Sequence, residues 1–304
     1  MIEQLLNTAN KIIVGKEQQI KLSLTCLIAN GHLLIEDLPG MGKTTLAQVM
    51  ARLFGMSYNR VQFTSDLLPA DIIGVSVYKQ LENTFEFKPG PIFSQLILAD
   101  EINRATPKTQ SALLEAMEEH QVTTDGETHP LPQPFFVIAT QNPQTQLGTF
   151  PLPESQLDRF LMRIHLGYPD SLAERELMTG QDRRVMVQNL QPIVSVNDLL
   201  ALQNQVSKIF ISEAVIDYVQ QLVKFTRESK EFSSGLSPRG ALAVVHSAKA
   251  WALVNKRDHV LPEDVQAIVP AVVEHRVRGA ADHTGHGGES MTEKMLAMVD
   301  VLGK

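Results

Sequence analysis

The chain has 304 residues, of which 43% are hydrophobic and 20% are charged, and its formal net charge is −7 at pH 7. This composition is typical of a globular protein with enough apolar side chains for sizeable cores, and the length is sufficient for two domains. The acidic balance argues against a broad nucleic-acid-binding surface, which needs a basic face, but leaves room for a local basic pore. No apolar run reaches the roughly 20 residues of a membrane-spanning helix.

The start of the chain lacks the basic region and apolar stretch of a secretory signal. The single cysteine, Cys26, cannot form an internal disulfide, and its place in a predicted helix indicates a small buried apolar residue. We therefore expect a cytoplasmic protein.

Residues 1–167 alternate strand-like and helix-like segments. The predicted strands are 32–36, 59–63, 96–100, 135–140 and 162–166. Most of them are short apolar runs without alternation, which is typical of parallel strands covered by helices on both faces. The stretches 75–89 and 122–129 differ, because they alternate around polar turns and predict two β-hairpins inserted into the α/β layer.

A proline-containing break at 168–170 begins the second part of the chain. Helix starts are indicated by Ser171 with Glu174 as a capping box, by Ser212, and by Ser237 before Pro238. The predicted divisions are an α/β core at 1–167, a linker with a connecting helix at 168–194, a four-helix domain at 195–278, and a tail at 279–304 with a short helix near 290–302.

Histidines cluster near the tail. His275, His283 and His286 lie around Asp282, but their spacing fits no firm metal-ligand pattern. We interpret this stretch as a linker rather than a metal site.

A glycine-rich loop separates the first strand from the next helix. Gly40 and Gly42 allow backbone N–H groups to close around phosphate oxygens at a helix N-terminus. Lys43 supplies a cation to the outer phosphates, and the Thr44 hydroxyl can bind Mg²⁺. The usual pattern has glycine where this chain has Asp37, at the start of the loop, where a side chain has room to point away from the phosphates; a simple glycine turn is the alternative.

Polar side chains follow two of the later strands. The strand at 96–100 ends in Asp100 and Glu101, where the first carboxylate can hold Mg²⁺ and the second can polarise the attacking water. The strand at 135–140 leads to Asn142, which would lie beside the terminal phosphate and orient water. Taken alone, these segments are an acidic turn and a Gln-Asn-Pro turn.

With these and further motifs in order, the chain resembles the AAA+ ATPases and, within them, the MoxR family. The resemblance rests on the segments 98–105, 107–117, 63–69, 88–92, 153–160 and 237–239. It implies a parallel-sheet phosphate-loop core with β-hairpin inserts and an all-α lid domain. The hairpins correspond to inserts that face the central pore in related rings.

The resemblance also implies roles for single residues. A Walker A loop that dispenses with the first glycine would bind nucleotide through Pro39, Gly40, Met41, Gly42, Lys43, Thr44 and Thr45. Val14 and Gly15 match the segment near the adenine. Asp100 and Glu101 match Walker B, with Thr44 and Asp100 as the residues that would hold Mg²⁺.

Three further residues complete the implied site. Asn142 matches sensor 1, Arg159 matches an arginine finger that reaches into the neighbouring subunit, and Arg239 matches sensor 2 on the lid. The alternatives are a surface ion pair of Arg159 with Asp158 and a domain-packing role for Arg239. For the signature residues 103 and 104 we expect packing at an interface.

The implied function is Mg²⁺-dependent ATP hydrolysis by a ring, with a hexamer expected, that remodels or matures a protein client in a chaperone-like way. Such rings often work with a von Willebrand factor A-domain protein, which would be a separate chain here. A nucleotide-dependent scaffold without catalysis and a nucleic-acid motor remain alternatives. We expect no nucleic-acid partner.

Overall fold

The structure, a computed structural model, describes residues 1–142, 148–279 and 290–301. In these residues the helices are α1 (Ile2–Ile12), α2 (Glu17–Ile28), α3 (Lys43–Leu53), α4 (Pro69–Ile73), α5 (Pro107–Glu119), α6 (Glu154–Leu157), α7 (Ser171–Thr179), α8 (Arg183–Gln188), α9 (Val196–Val206), α10 (Glu213–Glu228), α11 (Pro238–Val254), α12 (Pro262–Val273) and α13 (Met291–Met298). The strands are β1 (Leu33–Glu36), β2 (Tyr58–Gln62), β3 (Gly74–Lys79), β4 (Thr84–Pro89), β5 (Leu96–Asp100), β6 (Gln121–Thr124), β7 (Glu127–Pro130), β8 (Phe136–Gln141), β9 (Met162–Ile164), β10 (Phe232–Ser234) and β11 (Arg278–Gly279).

The core is a five-stranded parallel sheet with the strand order β2-β5-β8-β1-β9. This confirms the predicted parallel α/β core, and each predicted strand is present within two residues of its expected ends. Every residue of β5 and β8 is buried, which accounts for their continuous apolar runs. The edge strand β2 is largely exposed, so its sequence carries polar residues instead.

The register of the sheet brings the carboxyl ends of its central strands together. Glu36 of β1 is opposite Gln141 of β8, and Gln62 of β2 is opposite Asp100 of β5. In open parallel sheets this edge is where ligands bind. The carboxyl ends of β1, β5 and β8 therefore lie together at one edge of the sheet.

Both predicted hairpins are present. β3 pairs with β4 and β6 pairs with β7, each antiparallel. At the base of the first hairpin the backbone passes so close to itself that a Cβ on Gly74 would lie 2.3 Å from the carbonyl oxygen of Lys88. The rings of Phe87 and His129 stack with centroids 4.0 Å apart and join the two hairpins.

The second part of the chain contains the four predicted helices α9 to α12, and a short pair of strands, β10 and β11, adds to them. Ser212 and Ser237 cap their helices as predicted. The predicted capping box at Ser171 is wrong, because Asp170 is the N-cap and accepts a hydrogen bond from the backbone N–H of Ala173. The carboxylate of Asp170 thus takes the position expected for the Ser171 hydroxyl.

The linker and tail also differ from expectation in detail. The stretch 168–194 holds two short helices, α7 and α8, rather than one. The tail helix α13 is shorter than predicted and is capped by Ser290. His275 is buried and hydrogen-bonds through Nε2 to the carbonyl oxygen of Phe160 at 3.0 Å, so the linker interpretation is wrong for this residue. His283, His286 and Asp282 lie outside the described residues.

The helical part packs directly on the α/β part. The Nε2 atom of Gln203 on α9 donates to the carbonyl oxygen of Leu27, and the ring of His246 on α11 bonds the carbonyl oxygen of Ala29. One continuous apolar core runs from α1 through α2 and α3 into α9 to α12. The predicted domain boundaries at residues 167, 194 and 278 stay predictions. None of the helices described is both long and apolar enough to cross a membrane.

Candidate functional site

A cavity of about 1140 Å³ opens at the carboxyl edge of the sheet. The loop between β1 and α3, the ends of β5 and β8, one face of β2, and the segment around α8 line this cavity. Because strand residues alternate between faces, Tyr58, Arg60 and Gln62 of β2 project to the same side and all three reach it. The cavity is large enough for a nucleotide-sized ligand.

The loop before α3 adopts a conformation that requires its glycines. Gly40 and Gly42 have φ values of 87° and 89°, in the left-handed region that residues with a Cβ avoid. Nothing lies within 4 Å of the positions where their Cβ atoms would be, so the space beside the loop is open. Helix α3 begins at Lys43, and its free N–H groups face this space, which favours an anion.

Asp37 holds the loop from the side that faces away from the cavity. Its Oδ2 accepts hydrogen bonds from the backbone N–H groups of Leu166 and Gly167, at 2.6 and 2.7 Å. The residue that replaces the usual first glycine therefore ties the loop to the chain after β9.

Lys43 lies on the floor of the cavity and is 7% exposed. Its Nζ donates to the carbonyl oxygens of Asp37 (2.5 Å) and Leu38 (3.3 Å) and to Oδ1 of Asn142 (3.3 Å). Burial lowers the pKa of Lys43, while the carboxylates of Asp37, Asp100 and Glu101 act in the opposite direction. The ammonium group is thus held by neutral carbonyl oxygens that a phosphate can replace.

Asp100 is buried and both of its oxygens have partners. Oδ1 accepts from the Thr140 hydroxyl at 2.6 Å, and Oδ2 accepts from Nη2 and Nε of Arg60 at 2.6 and 3.1 Å. Arg60 was not among the residues identified from the sequence. The signal that could have found it is an arginine in an edge strand next to the strand that ends in the acidic pair.

Glu101 comes next, with a left-handed backbone at φ 56° that turns its side chain toward the cavity. Its Oε1 accepts from Nδ2 of Asn142 at 3.1 Å, and its Oε2 pairs with Arg104 at 3.2 Å. The sequence-predicted residues Lys43, Asp100, Glu101 and Asn142 therefore all line one cavity.

Asn103 lies in the interior of the chain instead of at an exposed interface, whereas the expected interface packing of Arg104 stays a prediction. Asn103 is 2% exposed, and its Nδ2 donates to the backbone carbonyl of Asn142 at 3.2 Å. It therefore supports the end of β8 from inside the molecule. Arg104 is more exposed and its side chain contacts Glu101.

The donor set fits a divalent cation that is shared with a phosphate. Thr44 and Asp100 both line the cavity and offer a hydroxyl and a carboxylate, which are hard oxygen ligands. In the part of the chain that is described, no group of three or more His, Cys, Asp or Glu side chains could hold a metal ion alone. A Mg²⁺ ion here would need phosphate oxygens as further ligands, as is usual for this ion.

Arg159 and Arg239 lie elsewhere, on a second cavity of about 800 Å³ between α5 and the helical part. Both contact the same carboxylate, since Arg159 and Arg239 each approach an oxygen of Glu118 to 3.0 Å. Asp158 is 4.0 Å from Arg239, but the partner of Arg159 is Glu118 and not Asp158. Arg239 thus bridges α11 to α5, and both its sensor 2 role and its domain-packing alternative stay predictions.

Arg276, a residue that sequence reasoning missed, lies beside these two arginines. Its side chain is only 4% exposed; Nε donates to Oδ1 of Asp158 at 2.7 Å, and Nη2 donates to the carbonyl oxygen of Phe160 at 2.7 Å. Burial lowers the pKa of Arg276, and the ion pair with Asp158 opposes this effect. The buried guanidinium of Arg276 thus holds the segment that carries Arg159 through Asp158 and Phe160.

Val14 and Gly15 do not line the cavity that contains Lys43. Gly15 instead packs against the start of α7, where a Cβ on this residue would lie 2.8 Å from the Cβ of Ala173. The wall next to the loop is formed by Gln48, Arg52 and residues around α8. Contact of Val14 and Gly15 with adenine stays a prediction.

Two family models match the chain. Residues 32–162 match the ATPase family associated with various cellular activities (AAA), and residues 224–295 match the AAA lid domain. The first range contains the loop, the acidic pair and Asn142, and the second contains Arg239. ATPase activity is a property of this family.

Relatives match over nearly the whole chain. Chaperone MoxR1 of Mycobacterium tuberculosis is 41% identical, with 91% of this chain and 75% of the relative covered. Protein MoxR of Paracoccus denitrificans is 31% identical over 88% of this chain and 86% of the relative. The uncharacterized protein YeaC of Bacillus subtilis is 43% identical over 96% of this chain and 92% of the relative.

A solved structure from Cytophaga hutchinsonii, of a protein assigned as an ATPase, superimposes with a TM-score of 0.87 at 40% identity and covers 98% of this chain and 94% of that chain. The predicted core with its helical lid is confirmed by these matches and by the parallel sheet. The chain belongs to the MoxR family of AAA+ ATPases.

Proposed function

We propose that the chain hydrolyses ATP in a Mg²⁺-dependent way as part of a ring, and that hydrolysis drives chaperone-like remodelling or maturation of a protein client. The observation that carries this proposal is the convergence of Lys43, Asp100, Glu101 and Asn142 on one cavity beside an open glycine loop. A positioned cation, a metal-holding carboxylate and a second carboxylate are the groups that phosphoryl transfer requires.

The loop and Lys43 bind the phosphates. The N–H groups at the start of α3 and the Nζ of Lys43 replace their present partners with phosphate oxygens, and Thr44 and Asp100 hold the metal ion. A bound Mg²⁺ supplies charge neutralisation between the phosphates. Lys43 gives up only neutral carbonyl partners in this exchange, while its burial strengthens its attraction to phosphate.

Glu101 acts on the attacking water. Its Oε1 is held by Nδ2 of Asn142, so the carboxylate and the amide are placed side by side at the end of neighbouring strands. A carboxylate in this position polarises water, and the amide orients either the water or the terminal phosphate. Buried neighbours hold the backbone of both residues: the Thr140 hydroxyl accepts from the N–H of Glu101, and Nδ2 of Asn103 donates to the carbonyl oxygen of Asn142.

Arg159 acts in the neighbouring subunit. It lies on the second cavity and is absent from the lining of its own chain's loop cavity. An arginine that contributes to transition-state stabilisation must contact the transferred phosphate. In a head-to-tail ring the second cavity of one copy faces the loop cavity of the next, and the site is complete only with both chains. A hexamer is the expected closure.

Arg239 belongs to the same face as Arg159. Because both arginines share Glu118, a phosphate that binds one is within reach of the other, and movement of α11 is coupled to occupancy of the neighbour's site. We propose that Arg239 also acts in trans, and that the ion pair with Glu118 is its resting contact.

The hairpins provide the surface for a client. Leu81 and Phe85 are exposed on the first hairpin, and Tyr78 packs against Phe85 with ring centroids 5.3 Å apart. Exposed apolar side chains on a protruding hairpin are suited to a transient contact with a polypeptide. A separate von Willebrand factor A-domain protein would select the client.

The experiment measures phosphate release by the purified chain with and without Mg²⁺, over a range of protein concentrations. We expect turnover that needs Mg²⁺ and rises more than linearly with protein concentration, because assembly completes the site. ATP binding without turnover would favour the non-catalytic scaffold instead. Stimulation by DNA would favour a nucleic-acid motor.

A second assay addresses the client. Aggregation of a heat-denatured model protein is followed with the wild type and with Glu101→Gln, each with ATP. We expect the wild type alone to lower aggregation in proportion to ATP consumed. Equal protection by both forms would show that hydrolysis is not coupled to remodelling.

A further inference from the structure

We infer that Arg60 is a resident counter-ion of Asp100 that must leave when a nucleotide–metal complex binds, so that this residue sets the Mg²⁺ concentration at which the site loads. The inference rests on the proposed nucleotide site and extends it to a residue outside the motifs. The observation is that two guanidinium nitrogens of Arg60 bond a single oxygen of Asp100, Oδ2, at 2.6 and 3.1 Å.

The contact occupies an oxygen that a metal ion would need. Oδ1 of Asp100 is engaged by the Thr140 hydroxyl, which in turn receives the backbone N–H of Glu101. That chain of bonds is buried and fixes the acidic pair. Among the described contacts, the charged partner of Oδ2 is Arg60, and both Asp100 and Arg60 line the cavity.

The two partners differ in how well they tolerate separation. The side chain of Asp100 is 10% exposed, whereas that of Arg60 is 47% exposed. Leaving a buried carboxylate without a cation is costly, but a half-exposed guanidinium regains its hydration when it is released. The pair therefore separates readily only when another cation reaches Asp100.

Arg60 also has a second partner that it can keep after it leaves Asp100. It lies on β2 with Tyr58 and Gln62 on the same face, and Nη2 already bonds Oε1 of Gln62 at 3.1 Å. Since β2 is the edge strand of the sheet, no further strand among the described residues limits the movement of these side chains. The guanidinium can keep its contact with Gln62 after Asp100 is released.

The consequence is competition between Arg60 and Mg²⁺ for one carboxylate. The cavity is lined by the cations Lys43, Arg52, Arg60 and Arg184 and by the carboxylates Asp100 and Glu101, and Arg60 is the cation that pairs with Asp100 in the described contacts. Replacement of Arg60 by an uncharged side chain leaves an uncompensated carboxylate that attracts a divalent ion more strongly.

The test measures binding of a fluorescent ATP analogue while Mg²⁺ is titrated from an EDTA-buffered start, for the wild type, Arg60→Met, Arg60→Lys and Arg52→Gln. Arg52 lines the same cavity, so Arg52→Gln removes an equal charge without touching Asp100 in the present contacts. We expect the half-saturating Mg²⁺ concentration to fall about three- to tenfold in Arg60→Met, to stay near the wild-type value in Arg60→Lys, and to change little in Arg52→Gln.

Two outcomes would overturn the inference. The first is an unchanged or higher Mg²⁺ midpoint in Arg60→Met that still binds the analogue, which would make Arg60 a structural pair or a direct phosphate ligand. The second is an equal fall of the Mg²⁺ midpoint in Arg52→Gln, which would show that the effect comes from the net charge of the cavity and not from the contact with Asp100. If the wild type itself binds no analogue in Mg²⁺, the proposed nucleotide site fails instead, so the two failures are distinguishable. Thermal unfolding without nucleotide confirms that each variant is folded.

Discussion

Asn142 donates a hydrogen bond to Oε1 of Glu101 across 3.1 Å, although the two residues follow different strands of the sheet. The parallel pairing of β5 with β8 places the ends of these strands side by side and so creates the contact. The same Asn142 accepts from Lys43 at 3.3 Å. A phosphate-binding cation and a water-polarising carboxylate are thereby linked through one amide.

Lys43→Ala is expected to weaken ATP binding strongly, whereas Glu101→Gln is expected to keep binding and lose turnover. Lys43 contacts phosphate in the ground state, while Glu101 acts on the water. Nucleotide titration and a phosphate-release assay on each variant separate the two effects. Equal loss of binding in both variants would refute the assignment of roles.

Asp37→Ala is expected to lower the free energy of unfolding by about 2 kcal/mol, because two backbone N–H groups lose a charged acceptor. Asp37→Asn keeps one acceptor oxygen and should lose less. Chemical denaturation without nucleotide measures both, and Asp217→Ala, an exposed change on α10, serves as the control. A stability of Asp37→Ala equal to that of the control would mean that the contacts with Leu166 and Gly167 do not hold the loop.

Arg276→Met is expected to destabilise the chain by about 2–3 kcal/mol, since it removes a buried guanidinium that donates to the half-buried carboxylate of Asp158 and to the carbonyl oxygen of Phe160. Arg278→Met is the matched control, because Arg278 forms an exposed ion pair with Glu154 that is worth less than about 1 kcal/mol. Denaturation midpoints at pH 7 compare the two. If both variants lost a similar free energy of unfolding, the buried position of Arg276 would add nothing to the stability of the chain.

His32 is expected to stay uncharged in mildly acidic solution. It is fully enclosed: Nδ1 accepts from the backbone N–H of Val137, Nε2 bonds the carbonyl oxygen of Met117, and burial lowers its pKa to about 4. Because the unfolded chain takes up a proton near pH 6.5 and the folded chain does not, stability falls between pH 6.5 and 4, by about 1.4 kcal/mol per pH unit.

NMR of the His32 imidazole nitrogens at pH 5.5 measures this directly. An unprotonated Nδ1 at that pH agrees with the expectation. A doubly protonated ring would show that the site opens to solvent. His32→Leu should lose this part of the pH dependence of stability. If the free energy of unfolding of the variant still falls with the same slope between pH 6.5 and 4, other groups cause the dependence.

Much of the fold followed from local patterns. The buried strands β5 and β8 were readable because they are continuous apolar runs, and the caps at Ser212 and Ser237 because they are short-range. The start of α7 was misjudged because Asp170 and Ser171 are both good caps, and only the backbone decides between them.

The candidate site was predictable where one loop carries it and less so where distant segments meet. Lys43 and the acidic pair stand out in their own segments. Arg60 and Glu118 do not, because their importance arises from partners on other strands and helices. Tertiary contacts of this kind have no local signature in one sequence.

The trans role of Arg159 is tested most directly by mixing two inactive variants. Arg159→Ala lacks the finger, which is worth roughly 10³–10⁵ in rate in related phosphate-loop enzymes, and Glu101→Gln lacks the water-polarising carboxylate. In mixed rings, about a quarter of interfaces would pair Glu101 of one chain with Arg159 of the other. A matched control mixes Glu101→Gln with Lys43→Ala, in which no chain carries both Lys43 and Glu101.

The measurement is ATP turnover of each mixture after subunit exchange has been verified by fluorescence transfer between labelled chains. The account predicts that activity returns in the mixture of Arg159→Ala with Glu101→Gln, depends on protein concentration, and stays absent in the control mixture. A first mixture that exchanges subunits and remains as inactive as its components would contradict the claim that each site is built from two chains.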